Sequence, residues 1–455
     1  MRIIIVGAGE VGRNIAARLA AEAKDVVLVD RDEQKIRAVR EALDVSALVG
    51  SGSNPRVLTD AGIVNAEMLI AVTDQDEVNL TACLVTAAYS PNTIKIARIR
   101  SPDLLRDRKL LTYEGLRLDL AINPERVTAD KIHEVIRHPW AADLMAFADG
   151  RIILVGARIL TDSPMAGALL KQLPERVPGR VPLIVAVNRN GHVVIPTGND
   201  RVEEGDLVYV VAKTEQLDVL AELTGHRPRP IRSVIIGGAS RVGRYLARDL
   251  EEDHGISVKL IEPNEQACHK AAKSLPGTIV IHSSITDEAM LRSEGIDACD
   301  MYVAASLEEE LNILAALLAK RLGAGLAVTV SNRLDYQELI STIGVDVLVS
   351  PRSAAVGSIM QFIRRGRVLR VTSFGAGDAE AIEFEALPTS DVVGKPLKDV
   401  RFPKGAIIGA VVREDEVIIP RGHDVINVGD HVIVFTLQKA IRKVERAMSV
   451  KIDFF

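Results

Sequence analysis

Short runs of branched apolar residues alternate along this chain with stretches whose apolar positions recur every three or four residues. RIIIV from Arg2, DVVLVD ending at Asp30, SALVG from Ser46, MLIAVT from Met68, TIKIARI from Thr93 and LAIN from Leu120 are six candidate strands. Helical patterns separate them, including Val11–Ala21 and Glu77–Tyr89. Strands apolar on both faces, alternating with helices, predict βαβ units around a parallel sheet. Val11, Ile15 and Leu19 recur at helical spacing, which gives the first helix a face to lay on that sheet.

The pattern then repeats. Arg2–Leu19 (RIIIVGAGEVGRNIAARL) matches Ser233–Leu250 (SVIIGGASRVGRYLARDL), with Gly238 at the place of Gly7 and Gly243 at that of Gly12. Val242, Leu246 and Leu250 repeat the apolar stripe, Glu262 answers Asp30, Asn312 answers Asn79, and Pro351 answers Pro124. Beyond the βαβ region, IPTGND at 195–200 matches IPRGHD at 419–424, and EEGDLVYVV at 203–211 matches NVGDHVIVF at 427–435. These later segments read as short alternating strands, with hairpin signals at Asn190-Gly191 and Glu414-Asp415-Glu416. A helical pattern precedes each, at Ala166–Leu173 and Gly394–Val400. The expected fold is α/β: two tandem Rossmann-type parallel-sheet domains, each followed by a small α+β domain. The expected boundaries are 1–138, 139–226, 231–365 and 366–455, with the proline-rich, basic stretch from His226 to Pro230 as the linker between halves.

The first glycine loop, Gly7-Ala8-Gly9-Glu10-Val11-Gly12, lies between a strand and a helix, as a dinucleotide fingerprint requires. Gly7 would allow the tight turn, Gly9 the approach of a phosphate, and Gly12 close packing of helix on strand. The helix N-terminus offers amide groups and partial positive charge to an anion. Asp30 closes the second strand, where a carboxylate can accept both ribose hydroxyls and would repel a 2′-phosphate. That favours NAD(H) or an adenine nucleotide over NADP. Arg31 joins the candidate set beside it, as do Ser51 and Thr73 after the third and fourth strands and Arg98 and Arg100 around the fifth. The guanidinium groups suit phosphate, or else form salt bridges at a subunit interface. Asn79 reads as a cap or a packing residue.

A second candidate set is Gly238, Ser240, Gly243 and Glu262. Its middle glycine is replaced by Ser240, and Ser331 and Arg333 are expected opposite Arg98 and Arg100. Weak binding, a different nucleotide, or a scaffold role all remain open for this copy.

Composition narrows the function classes. Aromatic residues make up only 3%, against a surface for stacking bases or sugars, and no basic run marks a nucleic-acid footprint. Cys83, Cys268 and Cys299 lie far apart with no zinc-type spacing, which points to a reducing compartment and no metal. No run approaches the roughly 20 apolar residues needed to span a bilayer. A cytoplasmic protein that reaches the membrane through a partner is expected. The nine histidines follow no paired motif, and GxSxG, HExxH and GxxxxGK[ST] are absent. The expectation is a non-enzyme.

GAGEVG with Asp30, VTDQDEVNL at 72–80, INPE at 122–125 and the paired small domains resemble the Trk-type potassium uptake regulators, which belong to the RCK (KTN) domain family. The resemblance covers nearly the whole chain. It implies a homo-oligomeric ring of cytosolic subunits, a tetramer of two-RCK chains, peripheral on the inner face of the membrane under a potassium pore of the TrkH or TrkG kind. It also implies NAD(H) or ATP/ADP as regulatory ligand, contacted by Gly7, Gly9, Glu10, Val11, Asp30, Ser51, Thr73 and Arg98. Ser51 departs from the family, which often carries an acid there. An NAD-dependent oxidoreductase, a regulator of another cation transporter and a bare scaffold are the alternatives.

Overall fold

The structure, a computed structural model, describes residues 2–21, 24–107, 109, 111, 116–177, 183–227, 229–253, 255–332, 344–363, 368–374, 379–414 and 416–448. They form two compact units, one of Met1–Ile136 with Ile231–Met360, the other of Arg137–Pro230 with Gln361–Phe455.

In the first unit, β1 (Arg2–Val6), β2 (Asp25–Asp30), β3 (Ser46–Val49), β4 (Met68–Ala71), β5 (Ile94–Arg98) and β6 (Leu120–Ile122) make a sheet in the order β3-β2-β1-β4-β5-β6. Its strand pairs are parallel. The strand order reverses beside β1, so the glycine loop opens at the switch point of the sheet, where such folds place a ligand. Helices α1 (Glu10–Ala21), α2 (Glu33–Ala42), α3 (Pro55–Asp60), α4 (Asp76–Tyr89), α5 (Pro102–Arg106) and α6 (Pro124–Arg137) complete this module. Val11, Ile15 and Leu19 are buried, as their spacing predicts.

The second copy belongs to the same unit. Here β12 (Ser233–Gly237) to β17 (Val347–Val349) repeat the topology as β14-β13-β12-β15-β16-β17. Intervening strands are β13 (Ser257–Glu262), β14 (Ile279–His282), β15 (Met301–Ala304) and β16 (Leu326–Val330). Its helices, numbered on from two in the small modules, are α9 (Arg241–Glu252), α10 (Glu265–Ser274), α11 (Glu288–Ser293), α12 (Glu309–Arg321) and α13 (Pro351–Ile363). The modules share a core. Ala129, Ile132 and Ile136 of α6 are buried in one cluster with Val242, Leu246 and Leu250 of α9 and with Val234 and Ile236 of β12. The apolar stripe of α9 therefore meets a helix of the first module as well as its own sheet.

The second unit holds two antiparallel sheets. One is made of β7 (Ala141–Phe147), β8 (Ile152–Arg158), β9 (Leu183–Arg189), β10 (His192–Val194) and β11 (Leu207–Lys213), in the order β10-β9-β11-β8-β7. The other, β18 (Val368–Phe374), β19 (Ala379–Glu385), β20 (Ala406–Arg413), β21 (Glu416–Ile418) and β22 (His431–Leu437), repeats it as β18-β19-β22-β20-β21. The Gly-Asp dipeptides that repeat in the sequence now have a reason. Asp206 is buried and takes two bonds of 2.7 Å from the Arg189 guanidinium; Asp430 does the same with Arg413 at 2.9 and 2.8 Å. Asn190 and Gly191 both have positive φ in a two-residue hairpin turn. Asp415, named in the other hairpin, lies outside the described residues. Tyr209, Phe147, Phe374 and Phe435 meet in a core common to both small modules.

The helices expected at Ala166–Leu173 and Gly394–Val400 do not form. Gly167 and Gly394 take left-handed φ, of 73° and 80°. The chain beyond them bridges other segments, Leu169 to Arg201 and Pro396 to Val425. A 3-10 turn, Leu170–Gln172 or Leu397–Asp399, is what remains, the first leading into the short helix α7 (Leu173–Arg176). Glycine and proline at these positions break the helical path that the apolar spacing alone suggests. The helix that does cover each small sheet comes after it, α8 (Leu217–Leu223) or α14 (Ile441–Met448).

Gly12 and Gly9 separate two kinds of glycine. A Cβ on Gly12 would collide with the Gly7 carbonyl oxygen, whereas one on Gly9 would have nothing among the described residues within 4 Å. Gly12→Ala is therefore expected to destabilise the chain by about 1–3 kcal/mol, and Gly9→Ala by no more than about 0.5 kcal/mol. Thermal unfolding of both variants checks this; equal midpoints would contradict it.

Candidate functional site

A cavity of about 1180 Å³ opens at the carboxyl ends of the strands of the first unit, lined from both of its modules. From the first module it takes Gly7, Gly9, Glu10, Val11, Asp30, Arg31, Ser51, Thr73, Arg98 and Arg100. Of the second candidate set, Ser240 and Glu262 line it. Gly12, Gly238 and Gly243 do not; they hold the turn behind it. Gly7 and Gly238 have φ of 112° and 108°, which only glycine tolerates, and a Cβ on Gly243 would strike the Gly238 carbonyl oxygen.

Asp30 is fixed by the loop it faces. Its Oδ2 accepts from the Ala8 amide at 2.6 Å and its Oδ1 from the Asp32 amide at 2.9 Å. Glu262 repeats the arrangement with Ala239 at 2.7 Å and Asn264 at 2.9 Å. Each oxygen has capacity for a second donor, so the pair can still accept from a diol. The first residues of α1 follow Gly9, which has no side chain to cap them, so an anion can approach their amides. In the second copy Ser240 takes the N-cap position, with Oγ accepting from the Gly243 amide at 3.3 Å. The hydroxyl replaces what an anion would supply.

Arg98 ends β5 and is half-buried, and among the described residues its Nε has no hydrogen-bond partner. Burial holds its pKa below the usual guanidinium value, and Arg100 adds repulsion. Glu125, Asp76 and Asp74 offset part of this, and the Nε donor is left open to an anion. Arg100 lies beyond the strand end and pairs with Glu125 of its own module, Nε to Oε1 at 3.0 Å. The fold corrects the expected counterparts of these arginines. β5 pairs from Ile94 opposite Met68, and β16 from Leu326 opposite Met301. Val330 thus occupies the place of Arg98, and Asn332 that of Arg100, in place of Ser331 and Arg333. One residue is missing from the second copy between these strands, which shifts the register. Arg333 lies outside the described residues. The second half of the cavity has lost both guanidinium groups.

Asn79 is a brace. Fully buried, it accepts at Oδ1 from the Thr73 amide at 2.9 Å and the Thr73 hydroxyl at 2.7 Å. Its Nδ2 donates to the carbonyls of Thr73 at 3.2 Å and Arg98 at 2.9 Å. It therefore ties the ends of β4 and β5 together behind the cleft. Asn312 ties Ser306 to Val330 in the same way. Asp76, which the sequence did not single out, accepts from the amides of Arg100 at 3.0 Å and Ser101 at 2.8 Å. Arg241 and Arg352 of the second module also line the cavity and were missed; aligning VSPR with INPE points to Arg352.

Two copies of a parallel-sheet fold, sharing one cleft at their glycine loops and accompanied by two small α+β modules, define a tandem Rossmann-type protein. The TrkA-N domain family matches residues 3–124 and 234–351, and the TrkA-C domain family 154–225 and 381–449. The Trk system potassium uptake protein TrkA of Halomonas elongata is 37% identical over 459 residues, covering all of both chains. That of Azorhizobium caulinodans is also 37% identical, over 458 residues and all of both chains. This chain belongs to the TrkA family of Trk potassium uptake proteins, as its motifs suggest. In fold it is similar to the GsuK RCK domain, at 20% identity and a TM-score of 0.62, over 98% of this chain and 94% of that one. The GsuK channel bound to NAD aligns at 19% identity and 0.62, over 98% and 78%.

Removing the Asn79 amide leaves the Thr73 amide and the Arg98 carbonyl without their buried partner. Asn79→Ala is expected to cost about 1–3 kcal/mol, read as a lower unfolding midpoint in denaturant.

Proposed function

We propose that the chain is a regulatory, non-catalytic subunit of a potassium uptake system, and that its first Rossmann-type module binds NAD(H) or ATP/ADP. One observation carries this reading: a glycine whose missing side chain nothing in the fold requires, Gly9, lines the same cavity as the under-partnered Arg98 and the tethered Asp30. An adenosine diphosphate unit satisfies all three. Asp30 would accept the ribose hydroxyls, the α1 amides beyond Gly9 would hold the first phosphates, and Arg98 would neutralise their charge. Arg31, Ser51 and Thr73 complete the walls, with Arg100 at the rim beside Glu125. A relative in fold is described as bound to NAD, and curated relatives are potassium uptake proteins, which supports both halves of the proposal.

The ligand acts by shifting a conformational equilibrium. It does so only to the extent that the cleft of one state binds it better than the other. A tenfold difference per site corresponds to about 1.4 kcal/mol, so several coupled sites in a homo-oligomeric ring, such as a tetramer, would give a usable bias. The output is read by a membrane-embedded pore subunit of the TrkH or TrkG kind, with this chain peripheral on the cytoplasmic face. Among the described residues no helix is long and apolar enough to cross a membrane.

Asp30→Ala is expected to lose measurable first-site binding while the chain stays folded, its unfolding midpoint lowered by the loss of the Ala8 and Asp32 amide bonds. Calorimetric titration with NADH, NAD, ATP and ADP in turn reads this. Unchanged affinity for every nucleotide would overturn the site, and turnover of NADH with a hydroxy acid or aldehyde would overturn the regulatory reading.

A further inference from the structure

The two modules of the first unit are copies, yet the charges they present to each other are not. Helices α1 and α9 both begin at the fourth residue of the glycine loop, so Glu10 corresponds to Arg241 and Arg18 to Asp249. Helices α6 and α13 both begin at a proline, so Glu125 corresponds to Arg352 and Arg126 to Ser353.

Across the junction, the Arg352 guanidinium forms an ion pair with the Glu10 carboxylate. Arg126 makes a two-pronged bond to Asp249, at 2.8 and 2.6 Å, and lies 5.6 Å from the centre of the Tyr245 ring. The Asp249 hydrogen bond raises the pKa of Arg126 further. His133 reaches Asp253 at 2.5 Å. Each contact joins a residue of the first module to one of the second.

Two first modules from separate chains, docked with the same geometry, would have different opposites. Glu10 would meet Glu125, and Arg126 would meet Arg18. Two second modules would set Arg241 against Arg352. Like charges in a partly desolvated junction cost affinity, and such repulsion discriminates between partners that are otherwise alike in shape.

We propose that the charge reversal at these positions selects pairing of the first module with the second and rejects pairing of two first modules from different chains. The surface made by α1 and the start of α6 is thus a recognition surface for the second module, whose matching face is basic at Arg241 and Arg352 and acidic at Asp249. Duplicated modules that kept identical faces could also pair between chains, opposed only by their linkage within one chain. Divergence in sign removes that option while leaving the shape unchanged.

The test uses full-length chains. The double variant E10R/R126E turns both attractive contacts with the second module into repulsions, and makes two first modules complementary to each other. The fourfold variant E10R/R126E/D249R/R352E restores opposite signs across the junction. Amide exchange in α6 and α9 is expected to rise on the order of tenfold in the double variant, with particle mass by light scattering increasing with concentration beyond wild type. In the fourfold variant exchange and mass should return to wild-type values. If the double variant fails to fold, recovery of folded protein in the fourfold variant supports the proposal. Wild-type exchange and mass in the double variant would overturn it, as would a fourfold variant no better than the double.

Discussion

Helix α1 can lie where it does only because residue 12 has no side chain. Its Cα passes so close to the Gly7 carbonyl that a single methyl would force helix and strand apart. The same contact recurs between Gly243 and Gly238. Close seating of the helix on the first strand aims its N-terminus at the switch point of the sheet, and the cavity follows from that aim. Asp30 then takes its position from the loop itself, through the Ala8 amide, and Glu262 through Ala239. The turn, the helix end and the acidic side chain are one mechanical unit, present twice.

What differs between the copies is chemistry laid over a common frame. The frame residues persist: the glycines of the turn, the buried asparagine that ties two strand ends, and the proline that starts the closing helix. Arg98 and Arg100 have no arginine at their places in the second copy, which brings Arg241 and Arg352 to the cavity from other positions. Ser240 caps the helix that Gly9 leaves open, and Val330 and Asn332 stand where Arg98 and Arg100 do. A frame that remains while its charges change suits a second module whose main partner is the first module. The ion pairs across their junction, Glu10 with Arg352 and Arg126 with Asp249, agree with that division of roles.

Period and punctuation made much of this architecture legible. Branched apolar runs alternating with three-and-four spacing marked both parallel sheets, and the duplication fixed their number. Glycine at three fixed places, with an acid after the second strand, marked the mouth of the cleft. Apolar spacing misled at Ala166–Leu173 and Gly394–Val400, where glycine takes a left-handed conformation and the chain bridges elsewhere. Alignment by sequence also set Ser331 opposite Arg98. A one-residue slip in a loop leaves local similarity intact, and only strand pairing reveals it.

The chain by itself determined most of its secondary elements, their order and the first module's candidate residues, because these rest on backbone sterics and on neighbours a few residues away. It could not determine that the two parallel-sheet modules share a core, with α6 buried against α9, or that Arg352 meets Glu10. Such contacts join positions more than a hundred residues apart. They are chosen by shape and charge across surfaces that exist only once each sheet has closed.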